Sequence, residues 1–523
     1  MSESYLIGLI GMPLGALLGW KIIKWVFTKY SFPLAPTLKY PLKDNLIWLF
    51  KDKEMRKRLI VTGAALMFVL AASYIPLPGI NISALREFFH RITRSGGVSA
   101  IVSSEQMGRV TIFVLGLMPF LSACILLQIA SVFIPSLRKA SFGGESGRAI
   151  ISKYTYIITI IVSMIQSYFI ASWLESPARF EGMRLVTMPG LEFRLITMIT
   201  ITAAVALLLF IADIIMRFGI GNGVAVIAAS YLFGHSLTVI HRMFTMISNK
   251  EISSFTPFLI AAIFVFSVCL VYFLTNRAKT VEIQSESGHK TYLPLRISIV
   301  GREPFVWAES LLLFPLTLAS LTGFTSIQNF VNHIFKQMFF YKLLVAIPIF
   351  IFTYLYALIV FNRKYINKLM EKYGHSYGSV GEQCLKDAAS KVLILTGAVL
   401  FCANILPSLT MRFLNMPYLL TALLSSGILL VLVGVFSDII SQIEFFRAKG
   451  ESGIKEWSIC YIAFDEIEAK IKSEYLTDKG ILALVEPLRF TWGMPIRTAV
   501  DQYRVYVPVE KKEEARSLIF ENS

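Results

Sequence analysis

Cysteine, histidine and paired carboxylates build most metal centres and nucleophilic sites, and this chain uses them sparsely. Its five cysteines (Cys124, Cys269, Cys384, Cys402 and Cys460) include no close pair at ligand spacing, and its six histidines are scattered. Metal sites need such ligands at short, repeated separations. No His-Glu-x-x-His run and no Walker phosphate loop occurs, so neither a metalloprotease nor a nucleotide hydrolase is indicated. Three cysteines lie in apolar runs and read as small buried hydrophobes. The pattern predicts no catalytic residue, no metal, no cofactor and no enzyme. Any work the chain does must draw on a partner, a proton gradient or the folding of a substrate.

The remaining candidates are polar or conformationally special residues inside apolar stretches, each costly in lipid. VLGLMPFLSACILLQ holds Gly116, Pro119 and Ser122; proline there removes a backbone donor and is expected to kink the helix. RFGIGNG (217–223) follows Asp213, and its glycines permit conformations other residues resist. Glu309 and Pro315 lie in PFVWAESLLLFPLTLAS, and Asp438 and Glu444 flank the end of a late apolar run. Kinks and interfacial carboxylates are common in membrane helices. Taken alone, these features indicate a polytopic transporter or channel.

The elements that must position them are membrane helices. The 523 residues are 55% hydrophobic and 16% charged, where soluble chains keep about a quarter charged. About ten apolar runs are long enough to span a bilayer. They are continuous rather than alternating, which excludes a β-barrel, and backbone hydrogen bonding in lipid makes them helices. The net charge of +16 reflects basic cytoplasmic loops, not nucleic-acid binding: no basic stripe carries interleaved aromatics. With KDKEMRKR (51–58) inside, alternation places 26 Lys and Arg in inside segments and 12 in outside ones, as the positive-inside rule requires. The first run, about 5–28, lacks a positive n-region and reads as a retained helix rather than a signal peptide, with amphipathic docking on the membrane surface as the alternative, because Lys21 and Lys24 fall inside it. The tail after about 450 alternates strand, helix, strand, strand, helix, the pattern of a small α/β domain, cytoplasmic by the same alternation. It is similar to a family of prokaryotic signal-transducing domains: a helix ending Lys479-Gly480, a V-x-V-P strand end (505–508) and an acidic helix.

In order along the chain, IPLPGIN (75–81), FVLGLMPFLSACILLQ, GESGRAIISKYTY, GIGNG (219–223), YLPLRISIVGREPFVWAESLLLFP (292–315) and FTYLYALIVFNRKYINKLMEKYG (352–374) together resemble segments of the SecY family, the central subunit of the Sec protein-conducting channel. The resemblance implies an all-α polytopic fold: a ten-helix, pseudo-symmetric channel at 51–450, with halves at about 51–250 and 251–450. To it this chain adds an N-terminal helix and basic linker (1–50) and the α/β domain (451–523). It implies a hydrophobic pore ring at Leu117, Leu121, Ala228, Val306 and Val431. A plug falls at about 95–108, represented by Val98, Ala100, Ile101 and Ser103, with Arg109 beside it. The lateral gate falls on helices around 111–130, 155–170, 305–320 and 343–360, with Pro119, Ser122, Gln128, Glu309, Ser310 and Phe314 as gate residues; Glu309 stands where the family has a small polar residue. Dewetting closes such an aliphatic ring to ions.

The resemblance further implies a prokaryotic inner (plasma) membrane protein that moves signal-bearing nascent or unfolded polypeptides, with SecE-like and SecG-like small subunits as companions. Glu145, Arg148, Arg277, Lys372 and Lys386 are the expected cytoplasmic partner contacts. Two loops depart from the family. RAKTVEIQSESGHKT (277–291) lacks most of an arginine-rich strand, and GHSYGSVGEQ (374–383) replaces a Pro-Gly-Ile-Arg-Pro-Gly run. These losses argue against docking of SecA or the ribosome and mark a divergent paralogue. A small-solute transporter or ion channel on the same scaffold is the alternative; it would need a charged midplane site, and few charges lie deep in the spans.

Overall fold

The computed structural model describes residues 34–36, 42–95, 110–141, 144–180, 182–248, 277–285, 290–296, 308, 345, 347–354, 367, 370–373, 375–377, 426–454, 456–463, 466–488 and 502–521. A short strand β1 (Leu34–Pro36) precedes α1 (Leu42–Lys51) and α2 (Lys53–Ala72). Asp52 caps α2: its Oδ2 accepts from Met55 N at 3.0 Å, satisfying a helix-start donor. Asn81 does the same for α3 (Ile82–Ser95), accepting from Ser83 N and Ala84 N at 3.1 Å each.

The apolar run that begins near 111 is not one helix. Residues 111–117 form turns, and α4 starts only at Met118 (Met118–Phe133). Pro119 therefore sits in the first turn, where its missing N–H would have had no intrahelical partner. The kink expected at Pro119 is corrected to a helix start. Hydropathy cannot distinguish the two, because turn and helix are equally apolar here.

After α5 (Pro135–Ser141) come three long helices, α6 (Gly144–Leu174), α7 (Leu191–Phe218) and α8 (Gly223–Ser248). Among the described residues, Ala149–Leu174 and Leu191–Phe218 are long and apolar enough to cross a membrane. The polarity of α6 is inside out. Thr155, Thr159, Ser163 and Ser167, four apart, are buried, while Ile157, Ile161 and Ile165 are exposed. Water would favour the opposite arrangement. Lipid favours this one, since small residues let helices approach closely and their hydroxyls can bond locally. Thr155 donates to Ile151 O at 2.8 Å, Thr159 to Thr155 O at 2.7 Å and Ser163 to Thr202 Oγ1 on α7 at 3.4 Å.

Strands β2 (Arg277–Ser285) and β3 (Lys290–Arg296) form an antiparallel hairpin. Both β1 and β4 (His375–Tyr377) pair with β2: 34–36 lie opposite 277–279, and 375–377 opposite 283–285. The two loops that depart from the family pattern are thus joined in one sheet. The chain continues with α9 (Ser426–Glu451), β5 (Trp457–Ala463), α10 (Glu466–Asp478), β6 (Leu484–Leu488), β7 (Gln502–Pro508) and α11 (Lys512–Glu521). The last three strands make an antiparallel sheet in the order β5-β7-β6. One apolar core joins Cys460, Tyr461, Val505 and Val507 to Leu476 of α10 and Ile519 of α11.

Candidate functional site

Two places in the described structure gather residues that a sequence reading would single out. The first is an apolar cluster where five elements converge. It takes Val69 and Ala72 from α2 and Leu117, Phe120 and Leu121 from the start of α4. Leu208 and Ile215 of α7, Val224–Ala228 of α8 and Val435 of α9 complete it. Leu117, Leu121 and Ala228 are all buried in it. Val431 lies on α9 four residues before Val435; the side chain of Val431 and all of Val306 fall outside the described residues. Leu117, at the cap, and Leu121 stand one helical turn apart at the start of α4, and both belong to this cluster.

Ser122, a gate candidate on α4, accepts a hydrogen bond from Gln166 Nε2 of α6 at 3.3 Å, and Pro119 is buried beside it. Gln128 lies on α4, but its side chain is outside the described residues, as are Glu309, Ser310 and Phe314. The plug residues Val98, Ala100, Ile101 and Ser103, with Arg109, also fall outside them. Glu145 and Arg148 lie in the first turns of α6 and Arg277 opens β2, again with undescribed side chains. Lys372 is exposed, and Lys386 is outside the described residues. Asp213 accepts from Tyr156 Oη at 3.3 Å, pairing α7 with α6.

The second place is the turn 219–223 between α7 and α8. Gly221 has φ +84°, and a Cβ there would meet Val226 Cγ2 at 2.8 Å and Ile439 Cγ1 at 3.3 Å; glycine is required by both conformation and space. At Gly223 a Cβ would run into the backbone of Ala212, so the two helices touch main chain to main chain. Side chains from distant elements take up the turn's backbone groups. Thr62 Oγ1 of α2 accepts from Ile220 N at 2.8 Å, and Arg58 donates to Gly219 O at 3.2 Å. Gln442 Oε1 of α9 accepts from Gly221 N at 2.6 Å. Asn222 Oδ1 accepts from Val224 N at 3.2 Å and caps α8.

Gln442 has a second partner. Its Nε2 donates to Glu486 Oε1 of β6 at 2.9 Å. The other Glu486 oxygen accepts from Tyr506 Oη at 2.9 Å and from Arg504 at 3.5 Å. Arg504 also donates to Met216 O at 3.4 Å, one of the carbonyls that the end of α7 leaves unpaired. The amide of Gln442 can face only one way, because a backbone N–H needs its oxygen and a carboxylate needs its NH2. Burial, with the Glu486 carboxylate beside it, pushes the Tyr506 hydroxyl well above its ordinary range, so it stays a donor. Leu484 and Tyr506 pack on an apolar patch of Met55, Ile220, Ile443 and Phe446, and Arg58 lies 4.4 Å from the Phe446 ring centre. The sequence pattern marks the glycines but not Thr62, Gln442, Glu486 or Arg504. An i-to-i+4 or strand periodicity carries no trace of partners 18 to 288 residues away.

Two features that could suggest chemistry do not carry it. GHSYG (374–378) has the Gly-x-Ser-x-Gly spacing. A nucleophile elbow sits between a strand and a helix, whereas Ser376 lies within β4, opposite Gln284. Cys460 is buried, and burial pushes its thiol up to about 12, so it stays protonated and unreactive at neutral pH. Among the described residues no group of three or more His, Cys, Asp or Glu could hold a metal.

Residues 111–440 match the SecY family model. A protein translocase subunit SecY of Aquifex aeolicus is 32% identical over 430 residues, covering 77% of this chain and 97% of that one. The SecY subunit of Escherichia coli K12 is 27% identical over 428 residues, covering 77% and 94%. A solved SecY channel, described for a plug domain that stabilises its closed state, aligns with TM-score 0.50 and 12% identity over 77% of this chain and 95% of that chain. At that identity the likeness speaks for the fold alone.

Proposed function

The chain belongs to the SecY family, and from that premise we propose that it is a gated protein-conducting channel of a bacterial inner membrane. It carries polypeptides across the bilayer or releases them into it. The observation that carries this reading is the convergence of Leu117, Leu121 and Ala228 in one buried apolar cluster. An aliphatic constriction excludes ions by dewetting and still yields to a passing chain. Val306 and Val431 complete the ring, 95–108 is the plug, and Ser122 and Glu309 belong to the gate.

The wider architecture in this reading is ten spans in two halves, an added N-terminal helix and a cytoplasmic tail domain at 451–523. Unfolded or nascent polypeptide is the substrate, and SecE-like and SecG-like subunits are the companions. The chain has no catalytic role; energy comes from outside it. The loops at 277–291 and 374–383, joined through β2 and β4, depart from the family's basic motifs, which argues against docking of SecA or the ribosome.

Site-specific photocrosslinking tests the reading. A photoreactive residue at Leu121 is expected to crosslink a signal-bearing polypeptide stalled in transit. The same residue at Ile199, which is 70% exposed on the outer face of α7, is expected not to. Absence of crosslinks at Leu121 with every native signal-bearing substrate would remove protein conduction and favour a solute pathway.

A further inference from the structure

The 219–223 turn is packed directly on the apolar cluster that closes the path in the channel reading above, on which this inference rests. Val226, in the first turn of α8, belongs to that cluster with Leu117, Leu121 and Ala228. It lies against one side of Gly221, and Ile439 of α9 lies against the other. Ile439 packs both on the cluster and on the apolar patch that receives Leu484 and Tyr506 of the tail. Val435, the α9 member of the cluster, stands one helical turn before Ile439, and Gln442 follows Val435 by about two turns. The end of α7, the start of α8 and the middle of α9 therefore meet at one small volume beside the seal.

The tail reaches all three. Alternate residues of a strand face opposite sides. Val505 and Val507 of β7 point into the tail's own core, while Tyr506 meets the channel patch and Arg504 the end of α7. The carbonyl that Arg504 takes up is that of Met216, whose side chain lies in the cluster. Glu486 Oε1 accepts from Gln442 Nε2 at 2.9 Å, and Gln442 Oε1 accepts from Gly221 N at 2.6 Å.

Gln442 is thus a direct bond between α9 and the turn, and Glu486 decides which way its amide faces. An amide turned over would aim its NH2 at the Gly221 N–H, donor against donor. Glu486 and Gln442 are each 1% exposed, and a buried donor left without an acceptor is costly. In the channel reading α7 and α8 belong to the first half of the channel and α9 to the second. The bond that Glu486 orients therefore crosses from one half to the other.

We propose that Glu486 and Arg504 of the tail are positioning residues for the seal: through Gln442, the Gly221 amide and Met216 O they fix α7, α8 and α9 in the register that closes the apolar cluster. The tail touches none of Leu117, Leu121 or Ala228 in this role; it sets the backbones that carry the seal, so that the seal recloses in register after a polypeptide has passed.

The test is ion efflux from proteoliposomes containing the full chain, with no transported polypeptide. Gln442→Glu sets two carboxylates against each other in a buried site and is expected to raise efflux roughly tenfold. Glu486→Gln keeps the shape but turns a donor toward Tyr506 and Arg504; a rise of roughly fivefold is expected, the population change that one hydrogen bond sets. Combining the two reverses the donor between 442 and 486. The carboxylate at 442 still accepts the Gly221 N–H, and the amide at 486 donates to it while accepting from Tyr506 and Arg504. The double variant is expected to return to within about twofold of the parent, because residues in one network couple whereas independent losses add. Glu513→Gln, exposed on α11, is expected to match the parent.

Amide protection at 503–507 reports whether the tail is folded. Where a single variant loses it, Tyr506→Phe, which removes only one donor to Glu486, takes its place and is expected to leak in the same direction. Parent-level efflux in the folded single variants, with Leu121→Asn leaking, overturns the positioning role and leaves the channel reading intact. A double variant leakier than either single makes the node a folding contact and overturns it too. If Leu121→Asn itself does not leak, the channel reading fails, and this inference with it.

Discussion

The apolar cluster around Leu121 and the polar node around Glu486 lie along the same elements, α7, α8 and α9, yet they hold together in opposite ways. In the cluster, Leu117, Leu121 and Ala228 are buried among apolar side chains. Dispersion contacts are weak one by one and have no preferred direction, so the surfaces can part and close again at little cost in specificity. In the node, a backbone amide, a glutamine, a glutamate, an arginine and a tyrosine are joined through directed bonds of 2.6–3.5 Å. Such a network has one satisfied arrangement, and half of it is worse than none. A seal that must yield is built from the first kind of contact. A joint that must keep its geometry while the seal yields is built from the second.

Breaking the node gives the largest effect. Glu486→Ala leaves Arg504, Tyr506 and Gln442 facing a void, and the tail is expected to lose about 3 kcal/mol of docking free energy. Hydrogen exchange would show this as deprotection of the Gly221 amide, with the tail's own core at 503–507 still protected. If Gly221 exchanges no faster, the node is not what fixes the turn.

A finer cut keeps the shape and removes one acceptor. Thr62→Val takes away the Oγ1 that receives the Ile220 amide at 2.8 Å with little change in volume. The expected cost is about 1 kcal/mol, read as faster exchange at Ile220, and Thr62→Ser restores protection. Equal exchange in Thr62→Val and the parent would show that water replaces the threonine and that the turn is wetter than its burial suggests.

The same contrast explains what the sequence discloses. The long helices α6 and α7 are legible because an apolar run of that length has one solution in lipid. The turn is legible because only glycine fits φ +84° with Val226 and Ile439 alongside. Leu117, Leu121 and Ala228 enter through the family resemblance, since apolar composition alone does not separate them from ordinary packing residues. Pro119 is misread as a kink because the hydropathy of 111–134 is continuous while the backbone is not: turns give way to helix at Met118. The node is invisible in sequence. Gln442 and Glu486 are ordinary polar residues until folding places one on the 219–223 turn and the other on Gln442, and no local periodicity encodes either meeting.

The central claim is that the apolar cluster closes a conducting path, and ion leak through the reconstituted chain tests it most directly. Leu121→Asn puts a wettable amide at the constriction. In proteoliposomes it is expected to raise ion efflux about tenfold over the parent, since a polar side chain opposes the dewetting that closes an apolar gate, while Ile199→Asn on the exposed face of α7 leaves efflux at the parent level. If Leu121→Asn leaks no more than Ile199→Asn, the cluster is a packing core and the path lies elsewhere.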